Sequence, residues 1–412
     1  MSHLAVVVPR YGEPIVGGAE VLARRVAGLL AHSHRVTVLT TTASDYRTWH
    51  NDLPAGESTD GAVRVLRFPV LRPRGEYWKV LNGLLHDALP PWELSTMTAG
   101  CKRALRWQLD RWPQGLQEEY VRWQGPDAPA LPAWLTRHAA GIDRVLFFTY
   151  LYPTTYFGMR CVSPGKIDLY PTLHDEPVAY LPVFSQCFRG ADRILFSTAE
   201  EFRVAQRLYG ELSGTAHVVG SGIPEPAEGS AGVARAEPFV LYVGRIDPAK
   251  GVTGLMRDFA RWKDEQPGSA LRLVLIGDRL EEGPEHPAIE YRGRVSEADK
   301  IALMRQARAL VQPSSFESLA LVVLEAFWCG TPALVFGGNE VLVGHCRRAN
   351  GGLWYHDYAE LAEALAWFEA HPDEARALGA QGRDYVRRTY SLDAYAARLA
   401  ALYPRDDRPF SP

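Results

Sequence analysis

Two carboxylates separated by seven residues, Glu317 and Glu325, are the groups in this 412-residue sequence best placed to do chemistry. They lie in the stretch Pro313-Ser314-Ser315-Phe316-Glu317-Ser318-Leu319-Ala320-Leu321-Val322-Val323-Leu324-Glu325-Ala326. The apolar pair Leu310-Val311 before it reads as the end of a buried strand, and Pro313 with the two serines reads as a loop. From about Ser318 the pattern predicts a helix to Trp328, stopped by Cys329-Gly330-Thr331-Pro332. Glu317 would then stand at the helix N-terminus, with Glu325 just over two turns along on a partly shared face. Unsatisfied N–H groups and the positive dipole end of a helix favour a phosphate. Carboxylates beside such a helix end suit a nucleoside diphosphate carrying hydroxyl groups. The pair taken alone is equally compatible with an amphipathic helix whose glutamates face solvent.

A second constellation follows the predicted strand Phe239–Val243: Gly244-Arg245-Ile246-Asp247-Pro248-Ala249-Lys250-Gly251. Glycine permits a tight turn there, the Arg245 fork matches phosphate oxygens, and Lys250 adds a point charge. Near the N-terminus, the apolar run Leu4–Val8, a loop containing Gly17-Gly18, a helical pattern over Ala19–Leu30 and the run Val36–Thr40 make a β-loop-α-β opening, the mark of a doubly wound sheet. Gly17-Gly18 would let backbone approach a phosphate or a sugar. The spacing is not Gly-x-Gly-x-x-Gly, which argues against a nicotinamide dinucleotide. His174 follows the predicted strand Lys166–Leu173, at the end where open α/β sheets bind ligands, and can donate to a sugar hydroxyl or a phosphate.

The elements that must position these groups come in two sets. Strands are read at Val63–Phe68, Arg144–Tyr150, Lys166–Leu173 and Arg193–Ser197, with a helix over Glu200–Leu208. After the Pro/Gly/Ser-rich stretch Pro224–Gly232, which reads as a linker, strands recur at Phe239–Val243, Leu271–Asp278, Ile289–Val295, Ala309–Val311 and Ala333–Phe336. Helices close the chain at Tyr358–Ala370, Pro372–Tyr390 and Leu392–Leu402. Residues 1–224 and 237–391 are thus expected to form two domains joined by 225–236. Between residues 77 and 134 stand Trp78, Trp92, Trp107, Trp112, Trp123 and Trp134, six of the eleven tryptophans, interleaved with Lys102, Arg103, Arg106 and Arg111. Helical core, a sugar-stacking acceptor surface and a membrane-interface patch are all consistent with that composition.

Glu317 and Glu325, followed by Ala326-Phe327-Trp328-Cys329-Gly330-Thr331-Pro332, resemble the signature of the retaining glycosyltransferases of family 4 (glycosyl transferases group 1). These are α/β proteins of GT-B architecture, with two Rossmann-like doubly wound domains facing a central cleft. Gly17-Gly18-Ala19-Glu20 resembles the family's first glycine-rich loop, and His174-Asp175 its N-domain pattern. Gly244-Arg245 with Lys250-Gly251 resembles its diphosphate-binding element. The resemblance implies transfer of a sugar, with retention of configuration, from a UDP- or GDP-linked donor to a hydroxyl of a glycan, a lipid-linked glycan or a natural product. It implies an acceptor-side N-terminal domain, with a helix of about 392–404 crossing back onto it. Arg245, Lys250 and the backbone of Ser318, Leu319 and Ala320 would take the diphosphate charge. Glu317 would hold sugar hydroxyls and Glu325 the ribose, while Arg294 and Val295 would lie by the base. His174, with Gly17 and Gly18, would contact the donor from the N-terminal domain. The family usually reads Glu-Gly-Phe-Gly where this chain has Glu317-Ser318-Leu319-Ala320, which would narrow the space for the donor. An epimerase acting on a nucleotide sugar, or an inactive nucleotide-sugar-binding subunit, would use the same groups.

A net charge of -3 argues against a nucleic-acid partner. No run approaches membrane-spanning length, and Leu4–Pro9 is too short and unflanked for a secretory signal. Five cysteines without paired spacing fit a reducing cytosol and give no metal pattern. No Asp-x-Asp motif occurs, so no metal and no further cofactor are expected, and a cytoplasmic protein with at most peripheral membrane contact is. Oligomeric state is not legible.

Overall fold

The computed structural model describes residues 1–15, 17–89, 97–212, 214–227, 237–247, 250–280 and 282–405. The expected linker from 228 onward, Pro248-Ala249 of the Arg245 loop, and Trp92 lie outside the described residues. The chain divides into two compact units, Met1–Ser221 with Ala396–Pro412, and Gly222–Tyr395.

The first unit is built on a sheet of β1 (His3–Val7), β2 (Arg35–Thr41), β3 (Gly56–Asp60), β4 (Val63–Phe68), β5 (Arg144–Phe148), β6 (Ile167–Tyr170), β7 (Arg193–Phe196) and β8 (Thr215–Val218). Their order is β3-β4-β2-β1-β5-β6-β7-β8, all parallel except the β3–β4 hairpin at the edge. Central strands read as continuous apolar runs because helices cover both faces; Ala5, Val6, Val7, Val145, Leu146 and Phe147 are fully buried. The strand order reverses between β1 and β5, so the loops after those two strands flank a switch point, where such sheets bind ligands. The tryptophan-rich region forms the helices Glu76–Ala88, Ala99–Leu109, Gln114–Gln124 and Ala130–His138. Trp112, Trp123 and Trp134 pack on the apolar core, whereas Trp107 is 57% exposed beneath the Arg111 guanidinium.

At the opposite ends of the strands, the fully buried Asp168 accepts from Arg144 Nη1 at 2.6 Å, from Arg193 Nε at 2.7 Å and Nη2 at 2.6 Å, and from the Tyr403 hydroxyl at 2.6 Å. Arg193 also donates to the Leu402 carbonyl at 2.8 Å, and His34 Nε2 donates to the Tyr403 carbonyl at 3.1 Å. The end of the helix Leu392–Leu402 is thereby tied to the sheet through ionic hydrogen bonds, which are stronger than neutral ones.

The second unit carries β9 (Phe239–Val243), β10 (Arg272–Ile276), β11 (Ile289–Tyr291), β12 (Ala309–Gln312), β13 (Ala333–Phe336) and β14 (Gly352–Tyr355). The order is β11-β10-β9-β12-β13-β14, and every pair is parallel. Reversal falls between β9 and β12, so the segments after these two strands, which carry Lys250 and Glu317, again flank a switch point.

Candidate functional site

The loop after β9 begins with Gly244 and Arg245. The buried Tyr242 hydroxyl donates to the Arg245 carbonyl at 2.6 Å and fixes the turn. Burial, joined by the charges of Glu317 and Asp247, pushes that hydroxyl well above the ordinary tyrosine range, so it stays a donor. The Arg245 guanidinium lies 3.7 Å from Asp247 and is partly exposed. Gly251 opens the helix Val252–Glu265 in the left-handed region, at φ 70°, and a Cβ there would stand 2.7 Å from the Pro313 carbonyl. Glycine is what lets the Lys250 loop close on the Pro313 loop.

That closure joins the two motifs. Lys250 Nζ donates to Glu317 Oε1 at 2.7 Å, and Gln312 Nε2 donates to the same oxygen at 3.1 Å. The Glu317 side chain is 13% exposed and that of Lys250 is 28% exposed, so the pair interacts more strongly than a surface ion pair would. Gln312 is buried at the end of β12, and its Oε1 has no hydrogen-bond partner among the described residues. The amide orientation follows from chemistry, because a carboxylate oxygen can only accept.

The helix expected from Ser318 begins at Leu321, so Glu317 stands in a loop ahead of it rather than at its end. Ala320 caps the helix in the left-handed conformation, φ 58° and ψ 57°, which costs an alanine about 1 kcal/mol. The first ladder bond runs from Val323 N–H to the Ala320 carbonyl at 3.0 Å, so the N–H groups of Leu321 and Val322 precede it. Ser318, Leu319 and Ala320 are buried and hold the loop on the core. Glu325, just over one turn into the helix, accepts from Lys300 Nζ at 3.0 Å through Oε2; Lys300 also reaches Glu297 Oε1 at 2.8 Å. Burial works to lower the Lys300 pKa, but the two carboxylates outweigh it, so the ammonium titrates above its ordinary value and stays charged. Arg294 is held by Asp278 through two contacts of 2.5 Å, beyond β10, and Val295 packs against the core beside it.

In the first unit, Gly17 caps the helix Gly18–Leu30 in extended backbone, φ -176°. Its lack of a side chain has a packing cause: a Cβ there would meet Glu20 Oε2 at 2.2 Å. Glu20 is buried and accepts from Arg10 Nε at 2.8 Å and Nη2 at 2.5 Å, while Arg10 Nη1 reaches the Ser44 carbonyl at 3.0 Å. His174 follows β6, with Nδ1 3.5 Å from Glu176 Oε1. Its neighbour Asp175 is held by Lys102 Nζ at 2.6 Å and the Tyr180 hydroxyl at 2.6 Å. Two threonines at these strand ends, Thr149 and Thr172, take left-handed φ values of 67° and 48°, and their hydroxyls are bonded at 3.1 Å. Such strain in β-branched residues persists only where surrounding structure enforces it.

The buried Glu201 carboxylate supports this end of the sheet, accepting from Leu173 N–H at 2.7 Å and Ser197 N–H at 2.6 Å. Burial raises its pKa to about 7, outweighing the lowering effect of those N–H groups and of nearby His174. A carboxyl that binds its proton more tightly when folded stabilises the fold most below the ordinary value of 4.5, and that stability drains away as pH rises through about 7. Glu201→Gln should therefore melt below the parent at pH 4.5, with the gap closing toward pH 8. Thermal melts across this range check it; a constant gap would refute it.

Sequence reading singled out neither Gln312, Lys300, His345, the Arg10–Glu20 pair nor Asp168. Each is polar, buried or half-buried, and partnered across the fold. The one cue available was placement, since Gln312 closes an apolar strand immediately before Pro313. Among the described residues, no group of three or more His, Cys, Asp or Glu side chains is gathered to hold a metal ion, and no helix is long and apolar enough to cross a membrane.

Residues 228–385 match the family model of glycosyl transferases group 1. The D-inositol 3-phosphate glycosyltransferase of Nocardia farcinica is 31% identical over 231 residues, covering 50% of this chain and 51% of that protein. The chain thus spans about half the length of the curated relatives it matches. The sucrose-phosphate synthase of Thermosynechococcus elongatus superposes with a TM-score of 0.69 at 18% identity, over 98% of both chains. The E. coli trehalose-6-phosphate structure bound with UDP-2-fluoro glucose gives 0.69 at 13% identity, over 99% of this chain and 100% of the other. The chain therefore has the GT-B fold of two Rossmann-like domains, and its second unit carries the sequence match to glycosyl transferases group 1.

Proposed function

We propose that this protein is a retaining, metal-independent glycosyltransferase of family 4. It moves a sugar from a UDP- or GDP-linked donor to a hydroxyl acceptor. The observation that carries this reading is the Lys250–Glu317 contact of 2.7 Å beside the switch point of the second sheet. A cation from the β9 loop and a carboxylate from the β12 loop meet where a doubly wound sheet takes its ligand. Negative charge grows on the leaving diphosphate, and Lys250, Arg245 and the N–H groups of Leu321 and Val322 match that charge, doing the work a metal would otherwise do. Glu317, with one oxygen occupied by Lys250 and Gln312, is oriented to take sugar hydroxyls. Glu325 receives the ribose, Arg294 and Val295 adjoin the base, and His174 with Gly17-Gly18 serves the donor from the first unit. The UDP-sugar in the E. coli neighbour supports a nucleotide-sugar donor of that kind.

Slow donor hydrolysis across a panel of UDP- and GDP-sugars, beside Glu317→Gln, tests the reading. Release from one donor, reduced about a hundredfold or more in the variant, is expected. Release of an epimer of the supplied sugar would replace transfer with isomerisation, and release that persists in the variant would remove Glu317 from the mechanism.

A further inference from the structure

We propose that His345 is a positioning residue that holds the Glu317–Ala320 loop in its left-handed turn; the inference rests on the reading of that loop as part of the donor site. His345 is fully buried on the helix Glu340–Ala349, with Nε2 2.9 Å from the Leu319 carbonyl and Nδ1 3.1 Å from the Tyr385 hydroxyl. The Tyr385 oxygen in turn lies 3.2 Å from Arg348 Nε. A carbonyl only accepts, so Nε2 carries the hydrogen. In the neutral ring Nδ1 then accepts from the Tyr385 hydroxyl, and the hydroxyl oxygen accepts from Arg348. Donors and acceptors alternate along the chain, each matched to the next. The rings of Tyr385 and Tyr390 close around the imidazole, with centroids 6.1 and 5.7 Å away, and leave it one orientation.

The carbonyl that His345 grips belongs to the peptide preceding Ala320. Fixing that carbonyl fixes the peptide plane, and with it the φ of 58° at Ala320. In a trans peptide the N–H points opposite the carbonyl. Drawing the Leu319 carbonyl toward His345 therefore turns the Ala320 N–H away from the aromatic box. A glycine at 320 would hold this turn without help. Alanine needs the clamp, and its methyl is buried in the core once the turn is made.

The test uses the full chain with His345→Phe, Tyr385→Phe, Ala320→Gly and the combined His345→Phe/Ala320→Gly variant. Hydrogen exchange of the 317–324 amides, without ligand, reads the clamp; UDP and GDP binding reads the donor site. In His345→Phe, exchange should speed up and binding weaken by about tenfold each, the net worth of one hydrogen bond. Adding Ala320→Gly should return both toward parental values. Tyr385→Phe keeps the ring while removing the donor to Nδ1, and should shift both readouts in the same sense by less. Unchanged exchange in His345→Phe, or a loss that Ala320→Gly leaves unrepaired, overturns the clamp. Faster exchange with unaltered nucleotide binding overturns the positioning role and leaves the donor site standing. A parent chain that binds neither nucleotide overturns the donor-site reading itself, while exchange still decides the clamp.

Discussion

Lys250→Ala should lower turnover of the nucleotide-sugar donor by about 10²–10³-fold, the usual effect of removing one group preorganised on a developing negative charge. The fold should survive, because Gln312 Nε2 still donates to Glu317 Oε1 at 3.1 Å after the ammonium is gone. The loss should fall mainly in kcat, since charge on the diphosphate grows as the sugar leaves. Lys250→Arg should recover little: a planar fork does not reproduce a point charge at 2.7 Å from a carboxylate oxygen that also accepts from Gln312. Steady-state kinetics beside a thermal melt check both. A normally folded Lys250→Ala protein with parental kcat would take the residue out of the mechanism.

Asp168→Ala should cost about 3–5 kcal/mol, the usual effect of breaking a buried ion pair by removing one partner. The substitution removes the shared acceptor of Arg144, Arg193 and Tyr403, and leaves two guanidinium groups facing the gap. For a unit of this size that corresponds to a fall in Tm of roughly 6–20 °C. Tyr403→Phe removes one donor and keeps both ion pairs, so its cost should be about 1.5–3 kcal/mol, the worth of a hydrogen bond to a charged group. Calorimetry of both variants tests the ranking. An Asp168→Ala protein that melts with the parent would show the network to be replaceable by packing.

Much of the fold was legible because parallel strands buried on both faces leave continuous apolar runs, such as Leu4–Val8, Phe239–Val243 and Leu273–Ile276. The GT-B fold expected from the resemblance is the fold found. Gly56–Asp60 escaped notice because Gly-Glu-Ser-Thr-Asp has no apolar residue; an edge strand needs only backbone pairing, here with β4. Gly352–Tyr355 follows a helix that was not read, and its four residues are too few to show a period. The start of the Leu321 helix was misplaced by three residues because the turn at Ala320 is enforced by His345, distant in sequence. Motif spacing brought out Glu317, Lys250 and Arg245, which stand in the segments that follow strands β9 and β12. Gln312 and Lys300 act through partners 5 and 25 residues away, a relation that local pattern does not encode.

The division of the chain has a consequence for its synthesis. The second unit is an insertion, and its two ends touch: Ile223 N–H donates to the Tyr390 carbonyl at 2.6 Å, and Ile223 bridges Ser391. Everything this unit needs has left the ribosome before the residues from Ala396 onward emerge. The first unit, begun earlier, must wait for Leu402 and Tyr403 to cover Arg193 and Asp168. The half made second is thus the half able to fold first, and the nascent N-terminal sheet stays open at one end for the whole interval.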